Sequence, residues 1–386
     1  MNSSAPTTPE QAAHRTGPFE RIGGFWQRVS EGRDIDELWS QFAADARSSY
    51  GFYGKDVDWD AVHKLPRWKR PLRVAGQLFW AMMNKLTPAR RVLLLLALAG
   101  LFLSGTQYRS NNTTVEIRLE FFSALIFLLL LSLELADKVI MKRDLEIARE
   151  IQTWLVPSEP PVIPNAEVAF HTRPQNSVAG DYYDAFYPLK NSTSNGKLML
   201  VMADVAGKSV PAALLMATLQ ASLRTLASEG PALSQLAERL NYYACEHSLG
   251  GQRFTTTVIA EFDPDTRQLS YVNAGHNFPV LRRTNGVVER LESSSVPLGI
   301  SSTAEFPSAQ VELQPGDTLV LFTDGVVEAF NSAGEEFSDS RWVNLIRGLP
   351  RLAAQDTLRT LMKSVEDFVG TTRQSDDITC LVLQTK

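Results

Sequence analysis

Acidic residues at four places, each beside a glycine or at the end of an apolar run, carry the chemistry this sequence offers. Asp181 follows Gly180 in SVAGDYYDAF. Asp204 follows the run LMLVMA and opens a turn holding Gly207 and Lys208. Asp324 follows TLVLFT and precedes Gly325, and Asp376 and Asp377 stand just before TCLVLQT. A short apolar run bounded by turn residues reads as a buried strand. Asp and Gly are ordinary turn residues, so one such position alone is turn chemistry. Four together, with no His or Cys cluster competing, make an all-oxygen donor set. Such a set suits Mg²⁺ or Mn²⁺ rather than zinc or copper. A carboxylate cluster can hold two such ions, an arrangement suited to in-line displacement at phosphorus.

The elements that must position these residues follow from the texture after residue 165. Short apolar runs predict strands at 167–172, 198–203, 257–262, 268–273, 279–283, 318–323 and 379–384. Helical stretches are predicted at 211–229, 231–248 and 340–370, the first opening on Pro211. Runs of strands and runs of helices imply an α+β fold, with two mostly antiparallel sheets face to face and helices outside.

The first half has a different character. The 386 residues carry 38 basic and 43 acidic side chains, a net charge of −5, and nothing in that balance points to nucleic acid. Cys245 and Cys380 stand far apart, which argues against a disulfide framework or a zinc site and fits a reducing compartment. Residues 1–18 read as a disordered tail without the order of a signal peptide. Residues 19–85 read as a cytoplasmic helical or interfacial region, with helical spacing at Leu38, Phe42 and Ala46. Lys64, Arg67, Lys69, Arg70 and Arg73, interleaved with Trp68 and Leu72, suggest contact with a membrane surface. Residues 86–136 read as a transmembrane hairpin, with spans at about 86–105 and 118–136. Each falls slightly short of the ~20 residues a spanning helix needs, yet neither has a polar face to show water. Lys85, Arg90 and Arg91 precede the first span and Lys138, Lys142 and Arg143 follow the second, against Arg109 and Arg118 in the linker. The charge bias places both termini in the cytoplasm of a multi-pass inner-membrane protein. Residues 137–160 are the connecting helix and linker. The stretch 134–155 has no Gly or Pro, with Leu145, Ala148, Ile151 and Leu155 on one face. The second span is expected to run directly into this helix, which would pair with a copy of itself in a homodimer.

The segments AGDYYDAF, DVAGKSVPAALLMA, YVNAGHNFP, VPLGI, PGDTLVLFTDGVVEAFN and SDDIT, in that order and spacing, resemble the SpoIIE-type branch of the PPM metal-dependent Ser/Thr protein phosphatases. The lead-in AREIQTWLVP is similar too, so the resemblance covers about residues 145–386. It implies a PPM-type β-sandwich over 161–386 with a dinuclear Mn²⁺ or Mg²⁺ centre at one edge. By the same resemblance Asp204 bridges both metals and positions the attacking water, and the Val205 backbone carbonyl is a contact to the second metal. Asp181 holds one ion, and Asp324 and Asp376 the other, Asp376 matching that slot better than Asp377. The implied reaction is hydrolysis of a phosphoserine or phosphothreonine by a metal-activated water, with no phosphoenzyme. The implied substrate is a STAS-type anti-sigma-factor antagonist in a partner-switching pathway. Two positions depart from the pattern. Ala179 stands where the first glycine of Gly-Gly-Asp is usual, and Ser209 where a glycine usually follows Lys208. No clear counterpart of a phosphate-gripping Arg or a proton-donating His is present, so the general acid is unassigned.

Lys208 is a candidate to steer phosphate or a solvated turn lysine. Gly325 and Glu328 adjoin the Asp324 loop, where Glu328 is either an orienting group or a surface carboxylate. His276 in NAGHN is expected to hold a strand end by hydrogen bonding rather than to move protons, and 191–196 is expected to be a polar connector. Two rival functions remain at this level. One is a membrane-tethered pseudophosphatase that binds a partner without turnover. The other is a two-metal hydrolase for a nucleotide or small phosphate ester, which no glycine-rich or basic pocket supports.

Overall fold

The computed structural model describes residues 54, 58–63, 66, 68–105, 107–110, 113–116, 118–188, 196–247, 253–292 and 295–386. The tail 1–18, the spacing at 35–47, Lys64, Arg67 and all of 191–196 but Gly196 lie outside the described residues. The chain divides into two compact units, Met1–Ala136 and Asp137–Lys386.

In the first unit, helices α1 (Trp59–His63), α2 (Arg70–Lys85) and α3 (Pro88–Leu103) precede a hairpin of β1 (Gln107–Ser110) and β2 (Thr113–Glu116). Helix α4 (Glu120–Leu155) follows and continues into the second unit. Proline in the first turn opens both α2 and α3, where its missing N–H costs nothing. Ala97, Ser123 and Leu130 are buried. A Cβ on Gly100 would run into the Ser123 hydroxyl, so that glycine lets α3 and α4 approach closely. Ser104 Oγ accepts the Leu119 N–H at 3.1 Å, and Arg90 pairs with Glu134 at 2.9 Å. Much of the rest of these two helices is apolar and exposed, including Leu96, Phe102, Phe121, Leu128 and Leu131. Water-facing surfaces rarely carry apolar area on this scale. The 16 residues of α3 rise roughly 24 Å, less than a hydrocarbon core of ~30 Å. Among the described residues, only Val210–Ala227 is both long and apolar enough to cross a membrane by length and composition, and it belongs to the second unit.

Helix α4 runs unbroken for 36 residues and stops at Leu155, two residues before Pro157. The predicted second span and connecting helix are therefore one helix. Leu145, Ala148, Gln152 and Leu155 form its half-buried stripe, whereas Ile151, expected on that stripe, is exposed with Ile140, Ile147 and Trp154.

The second unit is a sandwich of two five-stranded sheets whose neighbouring strands all pair antiparallel. One has the order β10-β7-β6-β5-β4 and the other β3-β12-β11-β8-β9. The first comprises β4 (Tyr182–Phe186), β5 (Leu198–Val205), β6 (Thr255–Phe262), β7 (Gln268–Ala274) and β10 (Ala309–Glu312). The second comprises β3 (Ala166–Arg173), β8 (Val280–Arg282), β9 (Val288–Arg290), β11 (Thr318–Phe322) and β12 (Ile378–Thr385). Leu200 and Met202 of β5 meet Leu319, Leu321, Leu381 and Leu383 between the sheets. The alternate residues Met199, Val201 and Ala203 face Met216, Leu223, Leu236 and Leu240 of α5 (Val210–Ala227) and α6 (Leu233–Glu246). Phe322, Cys380 and Val382 face Trp342 and Leu361 of α8 (Asp339–Gly348) and α9 (Ala354–Val369). Central strands covered on both faces lose polar alternation, so β5, β11 and β12 read as continuous apolar runs. The helical stretch expected over 340–370 is two helices, because Pro350 cannot continue α8. Strands β4, β9 and β10, not predicted, are short and lie at or next to sheet edges.

Candidate metal centre

Register brings the acidic positions to one edge of the sandwich. Tyr182 pairs with Ala203, so Asp181, one residue before β4, lies across from Asp204 near the end of β5. Phe322 pairs with Cys380, which sets Asp324, the first residue of α7 (Asp324–Val327), beside the start of β12 and the Asp376 and Asp377 that precede it. Asp181 ties the sheets together: its Oδ2 accepts from Thr323 Oγ1 at 2.8 Å and Thr379 Oγ1 at 2.6 Å, both at the ends of second-sheet strands. A Cβ on Gly325 would overlap the Asp377 carbonyl, so only glycine lets α7 lie against that backbone. The edge thus gathers Asp181, Asp204, Asp324, Asp376, Asp377, Gly325 and Lys208.

The two aspartates before β12 do different work. Asp377 accepts the Gln175 and Gly180 N–H groups, both at 2.6 Å, and so clamps the loop that leads to Asp181. Asp376 is more exposed and accepts from Lys208 Nζ at 2.9 Å, while Lys208 also donates to the Ser375 carbonyl at 3.0 Å. Lys208 is thus held against this edge, not free in solvent.

Negative charge is in surplus here. Burial, then Asp324, Asp376, Asp377 and Glu328, push the Asp204 carboxyl up to about 7. Burial and Asp204 hold Asp181 well above the ordinary carboxylate range despite its two hydroxyl donors. Asp324 is raised by burial and Asp376, and Glu328 by burial and Asp324. Carboxylates crowded in a low dielectric repel one another until a cation joins them. Among the described residues no three His, Cys, Asp or Glu side chains close around a ready-made ion position. The donor set nevertheless fits hard divalent cations, since it offers carboxylate oxygens and the Val205 carbonyl next to uncompensated charge. Gly180 lies against that carbonyl, where a Cβ would stand 3.3 Å away.

Ser209 adopts φ +66°, the region that favours glycine, at the position where the resembled pattern carries one. Helix α5 starts one residue later and is fastened to β4. Arg224 Nε and Nη2 each donate to the fully buried Asp184 at 2.8 Å, and the Tyr182 hydroxyl donates to the same carboxylate at 2.5 Å. The guanidinium also sits 4.3 Å from the Phe186 ring centroid.

His276 is buried. Its Nδ1 shares a 2.8 Å hydrogen bond with Thr256, its N–H donates to Asn273 Oδ1 at 2.8 Å, and Asn273 Nδ2 donates back to its carbonyl. Burial lowers its imidazole to about 4. These contacts hold a strand end. Sequence reasoning passed over Thr323, Thr379, Gln175 and Gln152. The two threonines sit inside TDG and SDDIT, but a hydroxyl beside an acidic residue has no distinctive pattern. The two glutamines have no local signal at all.

Against known proteins, the sequence model of Stage II sporulation protein E (SpoIIE) matches residues 194–386, half of the chain. The chain belongs to the SpoIIE family of PP2C-type phosphatases. Among its relatives, phosphoserine phosphatase RsbU of Bacillus subtilis (strain 168) is 30% identical over 252 residues, covering 64% of this chain and 71% of RsbU. The SiaA-PP2C domain of Pseudomonas aeruginosa has the same fold, with a TM-score of 0.54 and 19% identity over 65% of this chain and 99% of that one. The PP2C domain of SpoIIE from Bacillus subtilis gives 0.51 and 17%, over 58% of this chain and 64% of that one. The antiparallel sandwich with outer helices is thus the PP2C-like fold, and the family is metal-dependent. Within this SpoIIE-family domain the acidic edge is a place where strand ends from both sheets deliver carboxylates together.

Proposed function

We propose that this chain is a membrane-anchored, divalent-metal-dependent phosphatase for a phosphoserine or phosphothreonine on a cytoplasmic regulatory protein. The observation that carries the reading is the gathering of Asp181, Asp204, Asp324 and Asp376 at one sandwich edge with charge in surplus. Asp204 would be shared by two Mn²⁺ or Mg²⁺ ions, with the Val205 carbonyl a contact to the second of them, Asp181 holding one ion, and Asp324 and Asp376 the other. Bound there, such ions supply Lewis-acid polarisation of the phosphoryl group and a water activated near neutral pH. The residues of this chain orient that site: the threonine hydroxyls fix Asp181, Gly325 sets the spacing of Asp324 from the Asp377 backbone, and Lys208 adds a cation beside the incoming phosphate. Resemblance to partner-switching phosphatases favours a STAS-type substrate. The exposed apolar surfaces of α3 and the first half of α4 favour a membrane anchor. The exposed stripe of Ile140, Ile147, Ile151 and Trp154 favours pairing with a second copy.

Phosphate release from a Ser-phosphorylated STAS protein by the full chain in detergent, with and without Mn²⁺, tests this reading. Turnover should require the metal and vanish in Asp204→Asn. Tight binding of the phosphoprotein without release would instead identify a tethered pseudophosphatase. Hydrolysis of small phosphate esters that the phosphoprotein fails to inhibit would identify a different substrate class.

A further inference from the structure

Helix α4 reaches the loop that leads to Asp181 through Gln152. Gln152 Nε2 donates to the Ala179 carbonyl at 2.7 Å, and its Oε1 accepts the Ala179 N–H at 2.9 Å. One primary amide thereby satisfies both polar groups of a buried residue, as a neighbouring strand would. Ala179 is followed directly by Gly180 and Asp181. From the other side, the Asp377 carboxylate holds the Gln175 and Gly180 N–H groups. Between these two clamps, Gly180 packs on the Val205 carbonyl and the Ala212 side chain, where a Cβ would stand 3.3 Å and 3.2 Å away. Asp377 belongs to the sandwich itself. Gln152 does not, because it rides on the last turn of a helix that begins at Glu120.

We propose that Gln152 is a positioning residue for the metal centre, holding Ala179 so that Asp181 and the seat of Gly180 against Val205 keep their register. The proposal rests on the reading of Asp181 and Val205 as metal contacts. Both hydrogen bonds run to one planar amide, so a small turn or slide of α4 breaks them together. That makes this side chain the means by which the helix sets the geometry of the edge. Few other side chains can replace it. Asparagine is one methylene too short, glutamate turns its second oxygen on the Ala179 carbonyl, and leucine leaves both backbone groups unpaired. Partners behind metal ligands commonly set affinity by 10- to 100-fold.

The test compares the full wild-type chain with Gln152→Leu, Gln152→Glu and, as a control, Thr153→Ala. Thr153 bonds only the Arg149 carbonyl within the helix. Three readouts are taken: amide hydrogen exchange of residues 175–181, Mn²⁺ affinity by calorimetry, and kcat and KM. In both Gln152 variants, exchange in 175–181 should quicken at least tenfold while β5 and β12 stay protected. Mn²⁺ affinity should fall about tenfold or more, kcat should fall more than KM rises, and Thr153→Ala should match wild type. Unchanged exchange and Mn²⁺ affinity in Gln152→Leu would overturn the proposal. Faster exchange throughout the domain would overturn it too, by making α4 a general brace. A wild-type chain that binds no Mn²⁺ would overturn the functional reading itself, before any variant is made, so the two failures are distinguishable.

Discussion

Arg224 and Asp184 form a pair whose two halves should fail unequally. Asp184 is fully buried, whereas the Arg224 side chain keeps 42% of its surface exposed. Replacing Arg224 with methionine preserves the stem over Phe186 but strands a buried carboxylate with only the Tyr182 hydroxyl and the Ala185 N–H. Breaking a buried pair in this way costs about 3–5 kcal/mol. In Asp184→Asn the side chain keeps its shape and an acceptor for Ala185, and Arg224 turns to water. The loss is then roughly that of one or two hydrogen bonds, about 1–2 kcal/mol. At roughly 2–4 °C per kcal/mol for a domain of this size, Arg224→Met should lower the melting temperature by about 10 °C, and Asp184→Asn by less than half of that. Lys363→Met, which removes an exposed pair with Asp367 at 3.1 Å, serves as a control expected to cost under about 0.5 kcal/mol. Thermal unfolding of the full chain followed by circular dichroism reads all three. An Arg224→Met loss below about 1 kcal/mol, or an Asp184→Asn loss equal to it, would refute the argument from unequal burial.

Four further outcomes are expected. Gly325→Ala must push apart the Asp324 turn and the Asp377 backbone, costing roughly 1–3 kcal/mol. Phosphate release should fall about 100-fold or more, while Gly348→Ala, with open space around it, should retain wild-type release. Ser209→Gly should raise the unfolding free energy by about 1 kcal/mol by relieving the strained φ, and no gain in a denaturant titration would show that the loop carries no strain. His276 is lowered from 6.5 to about 4, so the unfolded chain takes up its proton first. Its contribution is whole above pH 6.5 and lost as pH falls toward 4, about 3 kcal/mol in all. The stability difference between wild type and His276→Asn should shrink across that window, and a constant difference would contradict the buried neutral ring. Asp204, raised from 3.8 to about 7, works in the opposite direction: with divalent ions chelated, its share of stability is present at low pH and lost as pH rises through that interval. Added Mn²⁺ should therefore raise the melting temperature more at pH 8 than at pH 5, and equal gains would count against these carboxylates as its ligands.

The parts of this fold legible in the sequence were those whose physics is local. Strands β5, β11 and β12 are buried on both faces, so their apolar runs and the turn residues that end them stand out, and with them Asp204, Asp324, Asp376 and Asp377. Strand β4 was not legible, because Tyr182 and Asp184 point polar atoms at a partner on α5 that no local pattern reveals. Val288–Arg290 and Ala309–Glu312 are edge strands with little apolar content. The stripe on α4 was misread at one position because Gln152, polar by type, is half-buried by a contact with Ala179. Hydrogen bonds from Thr323 and Thr379 to Asp181 depend on the closure of two sheets, which no spacing rule expresses.

Strand β12 also decides when the domain can come into being. It lies between β3 and β11 and pairs Ile378 with Arg173, so the edge strand β3 has no partner joining it to the second sheet until these residues have left the ribosome. Pairings between such distant segments are slow to form. The same strand carries Asp376 and Asp377 at its entrance, so a nascent chain that stops short of it has neither the sheet nor the complete acidic edge. Synthesis thus imposes an order, in which the acidic edge is complete only once the strand that closes the second sheet has been made.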